Sequence, residues 1–199
     1  MESSMFKPSS MDLIRAGLQD LDRARALFGQ LKADAIADGR CAELLGVLAH
    51  ACDPDVALGN FVDIVNAMQS SRRDLDRVIP DAGALRRLIT VLGASDEMGK
   101  FMRFRPELVE AASVGSADSH LFNRAQRRAR LLMAVGADPD DQAMPVASKD
   151  LAEAATALRA GYRRQLAAII AQDVMAEDPI RIQPTISSEL SDLADAALE

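Results

Sequence analysis

Apolar residues recur at three- and four-residue steps along most of this chain, the spacing of one buried helical face. Strict apolar/polar alternation, the mark of a half-buried strand, is missing. The first such stretch starts at Met11-Asp12-Leu13-Ile14, with Ser10 placed to cap it and Asp12 near the positive helix end. A second helix is predicted over 21–37, with Ala24, Leu27, Leu31 and Ala35 on one face and Gly39 as its stop. A third, over 40–51, carries Leu44, Leu45 and Leu48. Asp53-Pro54-Asp55 is a start signal, and the helix it opens turns Val56, Phe61, Ile64, Val65 and Met68 inward. After a charged linker over 70–77, Pro80-Asp81 opens a helix with Leu85, Leu88, Ile89 and Leu92 as its stripe. Gly93-Ala94-Ser95-Asp96 reads as a turn, with Ser95 capping a helix that carries Met98, Phe101 and Met102. Pro106 then starts a turn bearing Leu108 and Val109.

The second half repeats the pattern on longer elements. A small-residue loop over 113–120 precedes a helix over 122–135, with Leu131, Leu132 and Val135 apolar and its arginines outside. A loop rich in Asp and Pro over 136–148 leads to the longest helix, 149–176, about 40 Å at 1.5 Å per residue. Its stripe is Leu151, Ala155, Leu158, Tyr162, Leu166, Ile169, Ile170 and Val174. Asp178-Pro179 interrupts it, 180–186 is predicted to be an extended connector, and Ser187 or Ser188 caps a last helix with Leu190, Leu193, Ala194 and Ala197 on one face. No Gly, Asn, basic turn or Pro closes that helix before Glu199, the pattern of a piece of something longer; a complete protein with a frayed last helix fits it as well. The expected fold is all-α: a flexible leader over 1–10, a multi-helix bundle of short helices over 11–147, and a long helix plus a C-terminal helix over 148–199.

Composition agrees. Hydrophobic residues make up 49% of the 199, enough for a core, with six Phe, one Tyr and no Trp. The net charge of -7 is concentrated: from Asp173 onward seven acids face one base, Arg181, a net of -6. A nucleic-acid binder needs a basic face, and Arg124, Arg127, Arg128 and Arg130 are the best candidate. Four arginines on one polar helix are more often a solvated face, so nucleic acid is not the expected partner. Cys41 and Cys52 make no Cys-x-x-Cys pair, and neither a signal peptide nor an apolar run of about 20 residues is present, the pattern of a cytoplasmic chain with reduced thiols.

Candidate chemistry is thin. His50, Cys41, Cys52 and Asp53 lack the paired spacing of a zinc site. There is no phosphate loop and no dinucleotide fingerprint. Asp20 with Asp22, Asp53 with Asp55, and Asp74 with Asp76 have the Asp-x-Asp form that can hold metal ions against phosphates, but each sits near a predicted helix start, where acids satisfy the dipole. No catalytic, cofactor-binding or metal residue is assigned.

Three stretches, taken in order, resemble a known family. They are Asp53-Pro54-Asp55-x-Ala57-Leu58; Leu88-x-x-x-Leu92-Gly93-x-Ser95-x-x-Met98-x-x-x-Met102-x-x-x-Pro106-Glu107-Leu108; and Leu158-Arg159-x-x-Tyr162-Arg163-Arg164-x-Leu166 followed by Glu189-Leu190-Ser191-Asp192-Leu193-Ala194-Asp195-Ala196. Together they look like the helical region ahead of the first nucleotidyltransferase core in the bifunctional glutamine-synthetase adenylyltransferase/adenylyl-removing enzymes. Leu108 and Val109 replace an aromatic common in that family, and Lys100 an acid. The resemblance implies a parent enzyme that uses ATP and Mg²⁺ to place AMP on glutamine synthetase, removes it by phosphorolysis, and answers to a PII-type regulator. The signature of each core, Gly-x-x-Lys-x-Gly-x-x-Glu ending in Ser-Asp-x-Asp, does not occur here, so no catalytic residue carries over. The segment is then expected to support the deadenylylating half, with Tyr162, Arg163, Leu166, Leu190 and Leu193 as its interface with a core. The alternative is a stand-alone helical protein-interaction module.

Overall fold

The computed structural model describes residues 7–31, 38–70, 79–113, 122–141 and 144–199. Among these there are ten α-helices and no strand: α1 Ser10–Arg15, α2 Leu21–Gln30, α3 Asp38–Leu48, α4 Pro54–Ser70, α5 Ala82–Ala94, α6 Asp96–Phe104, α7 Pro106–Ser113, α8 Arg124–Val135, α9 Leu151–Val174 and α10 Pro179–Leu198. The all-α expectation holds. The charged linker, most of the loop after Ser113 and part of the predicted second helix lie outside the described residues.

The chain divides into two compact units, Met1–Gly115 and Ser116–Glu199. The first is organised on α4 and α5, which pack on each other, with α6 on α4 and α3 and α7 on α5. α5 buries Leu85, Leu88, Ile89, Val91 and Leu92. A helix apolar nearly all round must sit inside, and α5 does. Gly93, expected in a turn, lies inside α5 because its missing side chain lets the helix approach the α3–α4 corner: a Cβ there would meet the Ala51 Cβ at 3.0 Å and the Asp53 carbonyl oxygen at 3.1 Å.

Helix starts are set by local chemistry. The Asp53 carboxylate accepts from the Val56 amide at 3.0 Å, Asp81 from Ala84 at 2.7 Å, and the Ser95 hydroxyl from Met98 at 3.2 Å. The first cap is Ser9, one residue earlier than expected, in a reciprocal capping box with Asp12. Gly39, expected to end a helix, lies in the first turn of α3. Phe28, absent from the expected face of α2, is its largest buried side chain.

In the second unit α8, α9 and α10 all pack on one another. Arg127 lies near Gln165, and a Cβ on Gly161 would meet Leu131. Four residues up α8 thus match four down α9, so those two run antiparallel. Arg124 pairs with Asp195 and Arg128 with Glu199, so α8 and α10 run parallel. The core is Leu131, Ile169, Ile186, Leu193 and Ala196.

Two expectations fail in this unit. The extended connector over 180–186 is instead the first two turns of α10. Asp178 caps it by accepting from the Ile180 and Arg181 amides at 3.1 and 3.0 Å, and Pro179 takes the first position, where its missing N–H costs nothing. Pro184 lies inside the helix, at a cost of about 3 kcal/mol. Packing of Ile182 and Ile186 into the core of this unit offsets that loss. The predicted faces are also displaced. Leu151, first in the expected stripe of α9, is 87% exposed. On α10 the inward residues are Ile186, Glu189, Leu193 and Ala196, a face rotated roughly 70° from the expected one at 3.6 residues per turn.

Candidate functional site

The most unusual chemistry in the structure is a charged group of three inside the second unit. Arg127 of α8, Gln165 of α9 and Glu189 of α10 are each 5% exposed or less. Arg127, expected on the outer face, is among the largest fully buried side chains. One guanidinium nitrogen donates to Glu189 Oε2 at 2.8 Å, and the other reaches Gln165 Oε1 at 3.4 Å. The Gln165 amide nitrogen returns a bond to the Arg127 carbonyl at 3.3 Å. Arg127 Nε and Glu189 Oε1 have no hydrogen-bond partner among the described residues.

Burial pushes the Glu189 carboxyl above the usual carboxylate range; the Arg127 charge opposes that rise and Asp192 adds to it. Burial likewise lowers Arg127, against the pull of Glu189 and Asp192, although a guanidinium remains charged. Removing two ions from water costs several kcal/mol each, and their attraction recovers it only with good geometry. The two atoms left without a partner among the described residues limit what the pair adds to stability.

Around this centre the arginines of α8 meet the acids of α10. Arg128 holds Glu199 bidentately at 2.7 and 2.6 Å and also donates to the Pro139 and Asp141 carbonyls. The bond to Glu199 raises the Arg128 pKa, and the reciprocal bond lowers that of Glu199. Arg124 reaches Asp195 at 3.0 Å, and Arg130 lies 3.7 Å over the Phe122 ring. Three of the four arginines considered for nucleic acid thus carry a carboxylate, and the acidic tail is the other half of that arrangement. A cavity of about 370 Å³ lies between the two helices, walled by Arg124, Ala125, Arg128, Asp195, Ala196 and Glu199.

The five residues expected at an interface separate. Leu193 is fully buried, Tyr162 and Leu166 are half-buried against the core, and Arg163 is half-buried with interactions of its own. Leu190 is 41% exposed. Ile180 and Leu198, unmarked in the sequence reading, are 87% and 88% exposed on α10. None of Arg127, Gln165 and Glu189 was expected inside, although a signal exists: each lies four positions before a core residue on its own helix (Leu131, Ile169, Leu193), and so on the same face.

Among the described residues, no group of three or more His, Cys, Asp or Glu is placed to hold a metal ion. No described helix is long and apolar enough to cross a membrane.

Across all 199 residues the sequence is 80% identical to part of the bifunctional glutamine synthetase adenylyltransferase/adenylyl-removing enzyme of Bifidobacterium longum, in strains DJO10A and NCC 2705 alike. This chain matches a segment of that enzyme from end to end. It spans 18% of the length of those relatives. The Cutibacterium acnes enzyme of the same name is 33% identical over 187 residues, 94% of this chain and 18% of the relative. No family model matches the chain, and no solved structure does. The resemblance read from the helical motifs therefore holds over a greater extent than those motifs covered.

Proposed function

We propose that this chain is the N-terminal helical segment of a cytoplasmic bifunctional enzyme that adenylylates and deadenylylates glutamine synthetase in nitrogen regulation. It precedes the first nucleotidyltransferase core and supports the deadenylylating half without contributing a catalytic residue. ATP and Mg²⁺ act at the cores, and glutamine synthetase and a PII-type regulator are partners of the whole protein. The observation that carries this reading is the 80% identity over the full chain to part of an enzyme so named. Of the expected interface, Leu190 reaches the surface, flanked along α10 by Ile180 and Leu198, while Tyr162, Leu166 and Leu193 shape the helices beneath.

Two experiments test the proposal. Reading the source gene past codon 199 should reveal, in frame, the Gly-x-x-Lys-x-Gly-x-x-Glu run ending in Ser-Asp-x-Asp. A stop without it would favour a stand-alone interaction module. In the full-length protein, Leu190→Asp should slow phosphate-dependent AMP release from adenylylated glutamine synthetase and leave AMP attachment largely intact. Equal loss of both, or of neither, would refute the assignment to the deadenylylating half.

A further inference from the structure

We propose that Arg127, Gln165 and Glu189 form a register lock, which selects the face that α10 turns toward α8 and α9 and hence the residues of α10 left outside. The apolar pattern alone does not make that choice. Leu190, Leu193, Ala194 and Ala197 form one coherent face of α10, and Ile186, Leu193 and Ala196 form part of another roughly 70° away. Both pass through Ile186 and Leu193. α9 discriminates poorly, because Ala152, Ala154, Ala155, Ala157, Ala160 and Ala168 spread small side chains around it.

The charged group breaks this near-degeneracy. In the observed register Glu189 meets Arg127 at 2.8 Å. Turning α10 to the alternative face would swing Glu189 out of the core and strand a buried guanidinium, the costliest of the alternatives. An apolar contact discriminates far less, since one Leu replaces another at little loss. Arg127 Nε and Glu189 Oε1, unpartnered among the described residues, fit a group that specifies more than it stabilises. The outer pairs, Arg124–Asp195 and Arg128–Glu199, are compatible with the same register but partly exposed, where ion pairs discriminate weakly. In the locked arrangement Leu190 stays at the surface; in the alternative it would enter the core beside Ile186, and Glu189 and Ala196 would move outward.

The test compares three forms of the 199-residue chain: unaltered, Arg127→Met/Glu189→Leu, and the charge swap Arg127→Glu/Glu189→Arg. The readouts are ¹H–¹⁵N spectra over 179–198 and the near-ultraviolet circular dichroism of Tyr162, the chain's single tyrosine, which packs on this core. The unaltered and swapped proteins should each give one set of resonances. The apolar double should keep its far-ultraviolet helicity, give doubled or broadened α10 resonances, and lose much of the Tyr162 signal. One sharp set with the unaltered Tyr162 signal in the apolar double overturns the proposal. Unfolding of that variant does so too, since the pair would then be serving stability, and so does a swap that scrambles as the apolar double does.

Discussion

Where α6 crosses α4, Gly99 lies directly against Asn60, and replacing that glycine should have opposite effects in two backgrounds. An added Cβ would sit 2.7 Å from Asn60 Oδ1 and closer still to its Cγ and Nδ2, far inside contact distance. Asn60 is 8% exposed, and its amide donates to the Leu92 carbonyl at 3.4 Å and to Asp96 Oδ1 at 3.3 Å. Gly99→Ala should gain about 1 kcal/mol of helix propensity. Against that stand overpacking, about 1–3 kcal/mol, and a displaced buried amide, about 1–3 kcal/mol. The net expectation is a loss of about 1–5 kcal/mol. In an Asn60→Ala background both penalties vanish with the obstructing amide, and Gly99→Ala should stabilise by up to about 1 kcal/mol. Urea unfolding followed at 222 nm, with amide exchange in α4 and α5 to isolate the first unit, measures both. A Gly99→Ala protein as stable as its parent, or an equal cost in the two backgrounds, would refute the reasoning.

Glu189→Leu alone strands Arg127 and should destabilise the second unit by about 3–5 kcal/mol, read from amide exchange in α8 and α9. Because burial raises the Glu189 pKa on folding, the folded state holds that proton more tightly. Its favourable contribution is therefore complete below the ordinary carboxylate pKa and lost as pH rises through the raised value. The difference in urea midpoint between Glu189→Gln and the parent, followed from about pH 4 to about pH 8, should show that trend; a flat difference would contradict it. Gly136→Ala, at φ 78° with Ser148 Oγ where its Cβ would go, should cost more than about 1 kcal/mol in thermal unfolding. Asp150→Ala removes the acceptor for the Ala152 and Glu153 amides and should cost about 1 kcal/mol, with faster exchange confined to the first turn of α9.

Helix existence and most helix starts were legible because their causes are local. Asp53, Asp81 and Ser95 cap by reaching amides three residues ahead, a distance the sequence itself encodes. Most inward residues of α4 and α5 were legible too, since those stripes are strongly apolar: Phe61, Ile64, Val65, Met68, Leu85, Leu88, Ile89 and Leu92 are buried as expected, while Val56 is only half-buried. Family resemblance was readable for a related reason, as it lay in ordered short motifs along the chain.

What only the tertiary structure decided lies where several solutions were locally equal. Pro184 is a helix breaker by itself, and α10 runs through it because Ile182 and Ile186 gain a packed surface that the local sequence does not reveal. Arginines on a polar helix read as solvated until a carboxylate from a helix some 60 residues later arrives to neutralise one of them inside the core. The rotation of α10 followed from that meeting. By itself the sequence determined where most helices form and where strongly apolar faces turn, since hydrogen bonding and periodicity act over three or four residues. Tertiary structure decided which weakly amphipathic faces meet and which charges are buried, since those energies belong to pairs of residues distant in the chain and have no value until both partners are in place.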